Sequence, residues 1–364
     1  MYGNRKEIMK KISILHWTTS PFNMRSMGGI EVIEYNLFKR LRKEFKVKLY
    51  VPRLIGKEKG IIELNHNKFL MKYDINYYKQ FIDMNGDSDY FLGNNTPFLA
   101  LFNPEKTTVI FHNFINFLGK DSFLPFYLFF KKKYKRAKFA FCSDFLKKEF
   151  IKQYPDFPKD RLFTIYNAVD KNIINTKRGK FNKIKKIVFI GQWNYNKGYD
   201  LLINGIKRLR NKRNDFELFL IGGPNLWNNK KSNIDLSFLN EEYIKKVGIL
   251  KNREVLNFIT GKDILIAPSR WKEPFGIVAI EGLSKGLIVL TSGRGGLGNI
   301  IQNNKNGFIF KNGNSKDLSK RLDFIMSMET KDINRIRKEG YNSIKTNFNW
   351  DNYINKLKKT LVIE

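Results

Sequence analysis

The stretch DILIAPSRWKEPFGIVAIEG, residues 263–282, holds a complete strand–loop–helix unit. Ile264–Ala267 is a short apolar run of strand-forming residues, and Ser269–Lys272 is polar. Pro274 marks a helix start, where its missing N–H would have been free in any case. Gly276 removes side-chain bulk where the amides of Phe275, Gly276 and Ile277 turn outward. Two carboxylates, Glu273 and Glu281, bracket this start, although glutamate is rarely buried without a partner. Outward from here the same alternation repeats. Apolar runs stand at Ile12–Leu15, Val47–Val51, Thr107–Phe111, Phe139–Cys142, Leu162–Tyr166, Ile187–Ile190, Leu218–Ile221 and Leu287–Thr291. Between them lie helix-period segments such as EVIEYNLFKRLRKEF and GYDLLINGIKRLRNKR. Strands alternating with helices predict an α/β fold with parallel sheets covered on both faces.

The pattern runs twice, separated by the polar, basic stretch DKNIINTKRGKFNKIKK (170–186), whose composition suits an exposed connection. Two doubly wound Rossmann-like domains are expected, at 1–175 and 176–345, followed by an amphipathic helix within 346–364. A length of 364 residues suits two cores. With 42% hydrophobic and 28% charged residues the chain reads as globular. One cysteine, Cys142, cannot form an internal disulfide and points to a reducing compartment. The N-terminal apolar run is too short for a signal peptide, and no run is long enough for a membrane-spanning helix. An intracellular location is the expectation.

Sixty-seven Lys and Arg against thirty-four Asp and Glu give a formal charge of +33. Such a surface attracts nucleic acid, anionic lipid or phosphorylated substrates. Compositional drift toward Lys, Asn and Ile explains the total equally well, so the clusters are more informative. In FLPFYLFFKKKYKRAKFAF (123–141) an aromatic block meets Lys131–Lys133, Lys135 and Arg136. That combination suits an anionic membrane surface, or else a core helix with one solvated side.

In open α/β sheets, ligands bind beyond the carboxyl ends of strands. After Ile187–Ile190 come Gly191, Gln192 and then Lys197-Gly198 before a helix. A lysine near a helix start opposes the macrodipole unless an anion is close, although a solvated loop lysine is the plainer reading. The amides of residues 275–277 form an anion cradle, and Glu281 could accept from both hydroxyls of a ribose. Glu273 could accept from a second polyol, which together matches a nucleoside diphosphate sugar. In the first half, Gly28-Gly29 lets backbone approach a ligand, and His112 follows a strand. A turn and a lone histidine are their plainer readings. No histidine pair, cysteine cluster or Asp-x-Asp set offers a metal site.

These segments, in this order, resemble the retaining GT-B glycosyltransferases of family four, the group 1 transferases. VFIGQWNYNKGYDLLINGI resembles the family's "GR…KG" block, EPFGIVAIE its Glu-x7-Glu motif, and SGRGGLGNIIQNNKNGFIF its "GG…E…G" segment. GGIE (28–31) is similar to the first-domain glycine loop, and TIYNAVD (164–170) to the usual "NGVD". The resemblance implies two domains facing a cleft, with the last helix crossing back to the first. It implies that Glu281 holds the ribose, and that Glu273, Phe275, Gly276 and Ile277 hold the donor sugar and its phosphates. Lys197 would stabilise the leaving diphosphate, together with Gly191 and the Gly28-Gly29 loop. Gly248, Ile249 and Leu250 would contact the base, and His112 would sit near the reacting sugar. The catalytic set is then Glu273, His112 and Lys197. No cofactor or metal is implied.

The implied activity is transfer of a sugar from a UDP- or GDP-linked donor to a glycan or lipid-linked acceptor. Cell-surface polysaccharide or lipopolysaccharide is the expected product, made at the inner face of the cell membrane. Three positions depart from the family pattern. Gln192 replaces a phosphate-binding arginine, removing a charge-assisted bond of about 1.5–3 kcal/mol unless Arg294 or another cation compensates. Asn299 stands at the acidic position of the "GG…E" segment, and Ala168 replaces the glycine of "NGVD". The rivals are a sugar-nucleotide epimerase of the same layout, a nucleic-acid-binding protein and an inactive scaffold. No specific nucleic acid is expected, since no reading motif occurs.

Overall fold

The computed structural model describes residues 9–16, 21–24, 27–66, 74–114, 124–170, 185–224 and 240–361. The connection read at 170–186 lies largely outside these residues, as does Phe123. The chain divides into two compact units, Met1–Ile165 with Ile354–Glu364, and Tyr166–Tyr353.

The first unit comprises β1 (Lys11–His16), β2 (Phe22–Asn23), α1 (Gly29–Leu41), β3 (Lys46–Val51), β4 (Leu54–Ile55), β5 (Ile61–Glu63), α2 (Ile75–Asp83) and β6 (Tyr90–Asn94). It continues with β7 (Thr107–Phe111), α3 (Leu124–Phe129), α4 (Lys131–Tyr134), β8 (Lys138–Phe141), α5 (Asp144–Gln153) and β9 (Leu162–Thr164). Seven strands form one parallel sheet in the order β5-β3-β1-β6-β7-β8-β9. Helix starts follow local chemistry: the Asp74 side chain caps α2, and Ser143 Oγ accepts from Leu146 N at 3.0 Å to cap α5. Aromatic residues fill much of the core, with Phe139, Phe141, Phe150, Tyr154 and Phe157 in mutual ring contact. The central strand β6 has no counterpart among the apolar runs read from sequence. Its segment YFLGN ends in Gly93-Asn94, and a glycine weakens the strand signal.

The second unit comprises β10 (Lys185–Ile190), α6 (Tyr199–Arg210), β11 (Phe216–Ile221), β12 (Ile244–Gly248), α7 (Asn252–Ile259), β13 (Ile264–Ala267) and α8 (Ile277–Ser284). Then follow β14 (Ile288–Thr291), α9 (Leu297–Ile300), β15 (Phe308–Ile309), α10 (Ser315–Met326), α11 (Thr330–Thr346) and the start of α12 (Trp350–Leu361). Its six strands are parallel, in the order β12-β11-β10-β13-β14-β15. β12 escapes a reading by hydrophobicity because it is an edge strand with exposed Lys245 and Lys246, charges that suit an edge.

The unit boundary falls before residue 175. Tyr166 packs its ring on Phe275 and Phe348, at 6.3 and 5.3 Å between centroids, and Val169 N donates to Phe348 O at 3.0 Å. These contacts tie 166–170 to the second unit. The last helix, expected within 346–364, begins at Trp350, because α11 extends to Thr346 and Asn349 Oδ1 accepts from Asn352 N at 2.9 Å. From Ile354 onward α12 belongs to the first unit, where Leu357 and Leu361 are buried and Lys358 pairs with Glu44.

Candidate functional site

In the second sheet the strand order reverses at β10 and β13, which are neighbours. Chains leaving their carboxyl ends diverge, and a crevice opens between the two loops. The loop after β10 is 191–198, and the loop after β13 is 268–276. They are stitched together by Arg270 N and Trp271 N, which donate to Asn196 O at 2.9 and 3.2 Å. Gly198 has φ +70, and a Cβ there would stand 2.0 Å from Pro268 O, so only glycine lets the loops approach this closely.

Lys197 Nζ lies 2.7 Å from Glu273 Oε1, and Ser269 Oγ donates to the same oxygen at 2.6 Å. Both donors fall on Oε1, while Oε2 meets no partner among the described residues. Glu273 is 8% exposed, yet the Lys197 side chain keeps 36% of its surface. Three residues further on, Gly276 precedes α8 with φ +106, held against Leu297. The amides of Phe275, Gly276 and Ile277 reach no acceptor among the described residues. Open N–H groups at a helix start, a lysine and a half-occupied carboxylate are what a diphosphate with an attached polyol requires.

Glu281 is held differently. It is 4% exposed, and Asn252 Nδ2 at the start of α7 donates to its Oε1 at 3.0 Å. Burial pushes its carboxyl up to about 7, and the Asn252 bond only partly offsets this. Asn252 follows Gly248, the last residue of β12, and Ile249 and Leu250 beyond it, so Glu281 is connected to that segment rather than to Lys197. Gly248 O accepts from Gly222 N at 2.8 Å, and Ile249 is 79% exposed. Gly191 follows β10 directly, and exposed Gln192 accepts from Asn194 Nδ2 at 3.1 Å. Asn299 lies in α9, and Ala168 is buried.

The first-unit candidates are not gathered in the same way. Gly28 and Gly29 are exposed at the start of α1. His112 is 5% exposed, its N donating to Asn95 Oδ1 at 2.9 Å and its Nε2 lying 3.4 Å from Asn94 Oδ1. Beside this lies a pair the sequence reading missed. His16, ending β1, contacts Glu34 on α1, with side chains wholly buried, and burial pushes the Glu34 carboxyl up. The signal was available: Glu34 stands in register with Leu37, Phe38 and Leu41 on the buried face of α1. Ser269 and Asn252 left no such signal.

The basic cluster is also partly neutralised. Asp156 pairs with Lys131 and with Lys135, and Arg136 pairs with Glu105. Lys133 Nζ donates to Leu101 O at 2.9 Å. Leu128 and Phe129 are 61% and 82% exposed. Among the described residues, no helix is long and apolar enough to cross a membrane.

Comparison with known proteins agrees with this architecture. Residues 170–343 match the family Glycosyl transferases group 1. An uncharacterized glycosyltransferase of Methanocaldococcus jannaschii is 30% identical over 201 residues, 55% of this chain and 53% of its own length. A lipopolysaccharide 1,2-N-acetylglucosaminetransferase of Salmonella typhimurium is 24% identical over 189 residues, 48% of this chain and 47% of its own. The chain thus spans about half the length of these curated relatives. Among solved structures, Anabaena HepE in complex with UDP and glucose superposes with a TM-score of 0.76 at 15% identity, covering 98% of this chain and 100% of that one. That likeness shows the fold. The second unit thus carries a Glycosyl transferases group 1 domain at residues 170–343, and the two parallel sheets have the α/β architecture of solved GT-B glycosyltransferases.

Proposed function

We propose that the protein transfers a sugar from a UDP- or GDP-linked donor to a glycan or lipid-linked acceptor, retaining configuration and using no divalent metal. The observation that carries this reading is the Lys197–Glu273–Ser269 constellation beside the open amides of α8. Breaking the anomeric C–O bond leaves growing negative charge on the diphosphate, and preorganised donors stabilise it most where water is excluded. Lys197 and the amides of Gly276 and Ile277 meet that charge. Ser269 and Lys197 orient the Glu273 carboxylate through Oε1, so Oε2 accepts from a hydroxyl of the donor sugar. Glu281 accepts from the ribose, and the loop at Gly248–Leu250 faces the base. The first unit is assigned acceptor recognition.

The Salmonella relative's name and the HepE ligands favour a nucleotide sugar and a surface-glycan acceptor. Attachment to anionic membrane is part of the proposal, supported by exposed Leu128 and Phe129 beside exposed Lys132. Sedimentation with vesicles containing or lacking anionic lipid tests it; equal binding to neutral vesicles, or none to either, contradicts it.

Thermal stabilisation by a panel of UDP- and GDP-sugars tests the main reading. A donor at 100 times its Kd adds about 2.7 kcal/mol. Product analysis with EDTA present then requires an acceptor for turnover and retained anomeric configuration. An epimerised sugar formed without acceptor, as distinct from simple donor hydrolysis, would instead establish an epimerase.

A further inference from the structure

We propose that Arg294 is the second cation of the diphosphate site and supplies the charge that Gln192 lacks. The inference rests on the donor reading above. At the carboxyl edge of the second sheet, charges cancel in pairs. Lys197 is matched by Glu273, and Arg270 donates to both oxygens of Asp200, at 3.2 and 2.5 Å. Gln192 adds no charge. An incoming diphosphate therefore meets no net positive side chain from these residues, only the amides of α8 and a lysine already engaged.

Arg294 differs from them. Its side chain makes no ion pair or hydrogen bond among the described residues, and its Nε is buried without an acceptor. A desolvated guanidinium N–H with nothing to donate to is costly and calls for a partner absent from the protein itself. Its position is fixed from both sides. Ser292 Oγ donates to Ser269 O at 2.6 Å, Gly295 pairs in parallel with Glu273, and Gly296 N donates to Glu273 O at 2.7 Å. Arg294 is thus carried between two anchors on the loop that bears the Glu273 carboxylate. Its planar fork suits a phosphate better than a lysine would.

The test uses the full chain, with calorimetric titration of UDP, GDP, inorganic pyrophosphate, uridine and guanosine. Arg294→Ala is expected to weaken the preferred nucleoside diphosphate about 10- to 100-fold while leaving the matching nucleoside unchanged. Gln192→Arg in the Arg294→Ala background is expected to recover most of that affinity, and Lys272→Ala to bind as the unmodified protein does. If Arg294→Ala binds normally while Lys197→Ala does not, this inference fails and the donor reading stands. If Arg294→Ala weakens nucleoside and diphosphate equally, the residue is structural and the inference fails. If the unmodified protein binds neither nucleoside diphosphate, both fall.

Discussion

The carboxyl edges of the two sheets share one topology and treat polar residues in opposite ways. In the first unit, His16, Asn94 and His112 end or follow the central strands β1, β6 and β7, and with Glu34 they form a cluster no more than 5% exposed. In the second unit the equivalent edge leaves Lys197 partly exposed and, among the described residues, one oxygen of Glu273 without a partner and three amides without an acceptor. The first cluster is closed to solvent: His16 meets Glu34, while buried His16 Nε2 and Asn94 Nδ2 find no hydrogen-bond partner among the described residues. The second keeps its open capacity where a ligand can reach it. A polar residue at a strand end is therefore weak evidence of a ligand, and open capacity on a solvent-accessible edge is stronger evidence.

That contrast can be broken by mutation. The largest expected effect is on Glu273→Ala, which should lower sugar transfer by about 10³-fold, the scale of losing a preorganised contact in the transition state. Its melting temperature should stay within a few degrees, because Lys197 can return to solvent. Measured turnover close to that of the unmodified enzyme would remove Glu273 from the chemistry. Glu34→Ala should do the reverse. Taking one member from a buried pair costs about 3 kcal/mol of stability, read by denaturant unfolding, while nucleotide affinity in the folded protein is unchanged.

A smaller effect is expected at Glu281. Its folded carboxyl titrates at about 7 against an ordinary 4.5, so the folded state holds the proton more tightly. Stability from this group is fully present below about 4.5, falls as pH rises toward 7, and is flat above. Nucleotide binding requires the carboxylate and should run the other way, strengthening as pH rises through 7. Glu281→Gln should flatten both profiles and weaken nucleotide binding about tenfold at pH 8. Calorimetry and thermal melts from pH 5 to 8 would show it. The smallest effect belongs to Phe129→Ser, expected to change stability by no more than about 0.5 kcal/mol while reducing vesicle binding. A large loss of stability would mean that Phe129 packs against protein.

Much of this was legible in the chain itself. Ile264–Ala267 and Thr107–Phe111 are strands at the bounds their composition suggested, and 269–282 is a loop and helix start. β6 was hidden by Gly93 and β12 by its edge lysines, both cases where a strand's place in the sheet overrides its hydrophobicity. Side-chain pairings were harder. Lys197 and Glu273 lie 76 positions apart, and Asn252 and Glu281 lie 29 apart, so no local period could join them. The cluster at Lys131–Arg136 looks more basic in sequence than in the fold, because Glu105 and Asp156, which pair with Lys131, Lys135 and Arg136, are distant in sequence.

The central claim is that the edge between β10 and β13 grips a diphosphate, and a crystal structure grown with UDP or GDP tests it most directly. The expected result places phosphate oxygens within hydrogen-bond reach of Gly276 N, Ile277 N and Lys197 Nζ, with the ribose on Glu281. A nucleotide bound elsewhere, with those three groups still turned to protein or solvent, would contradict it.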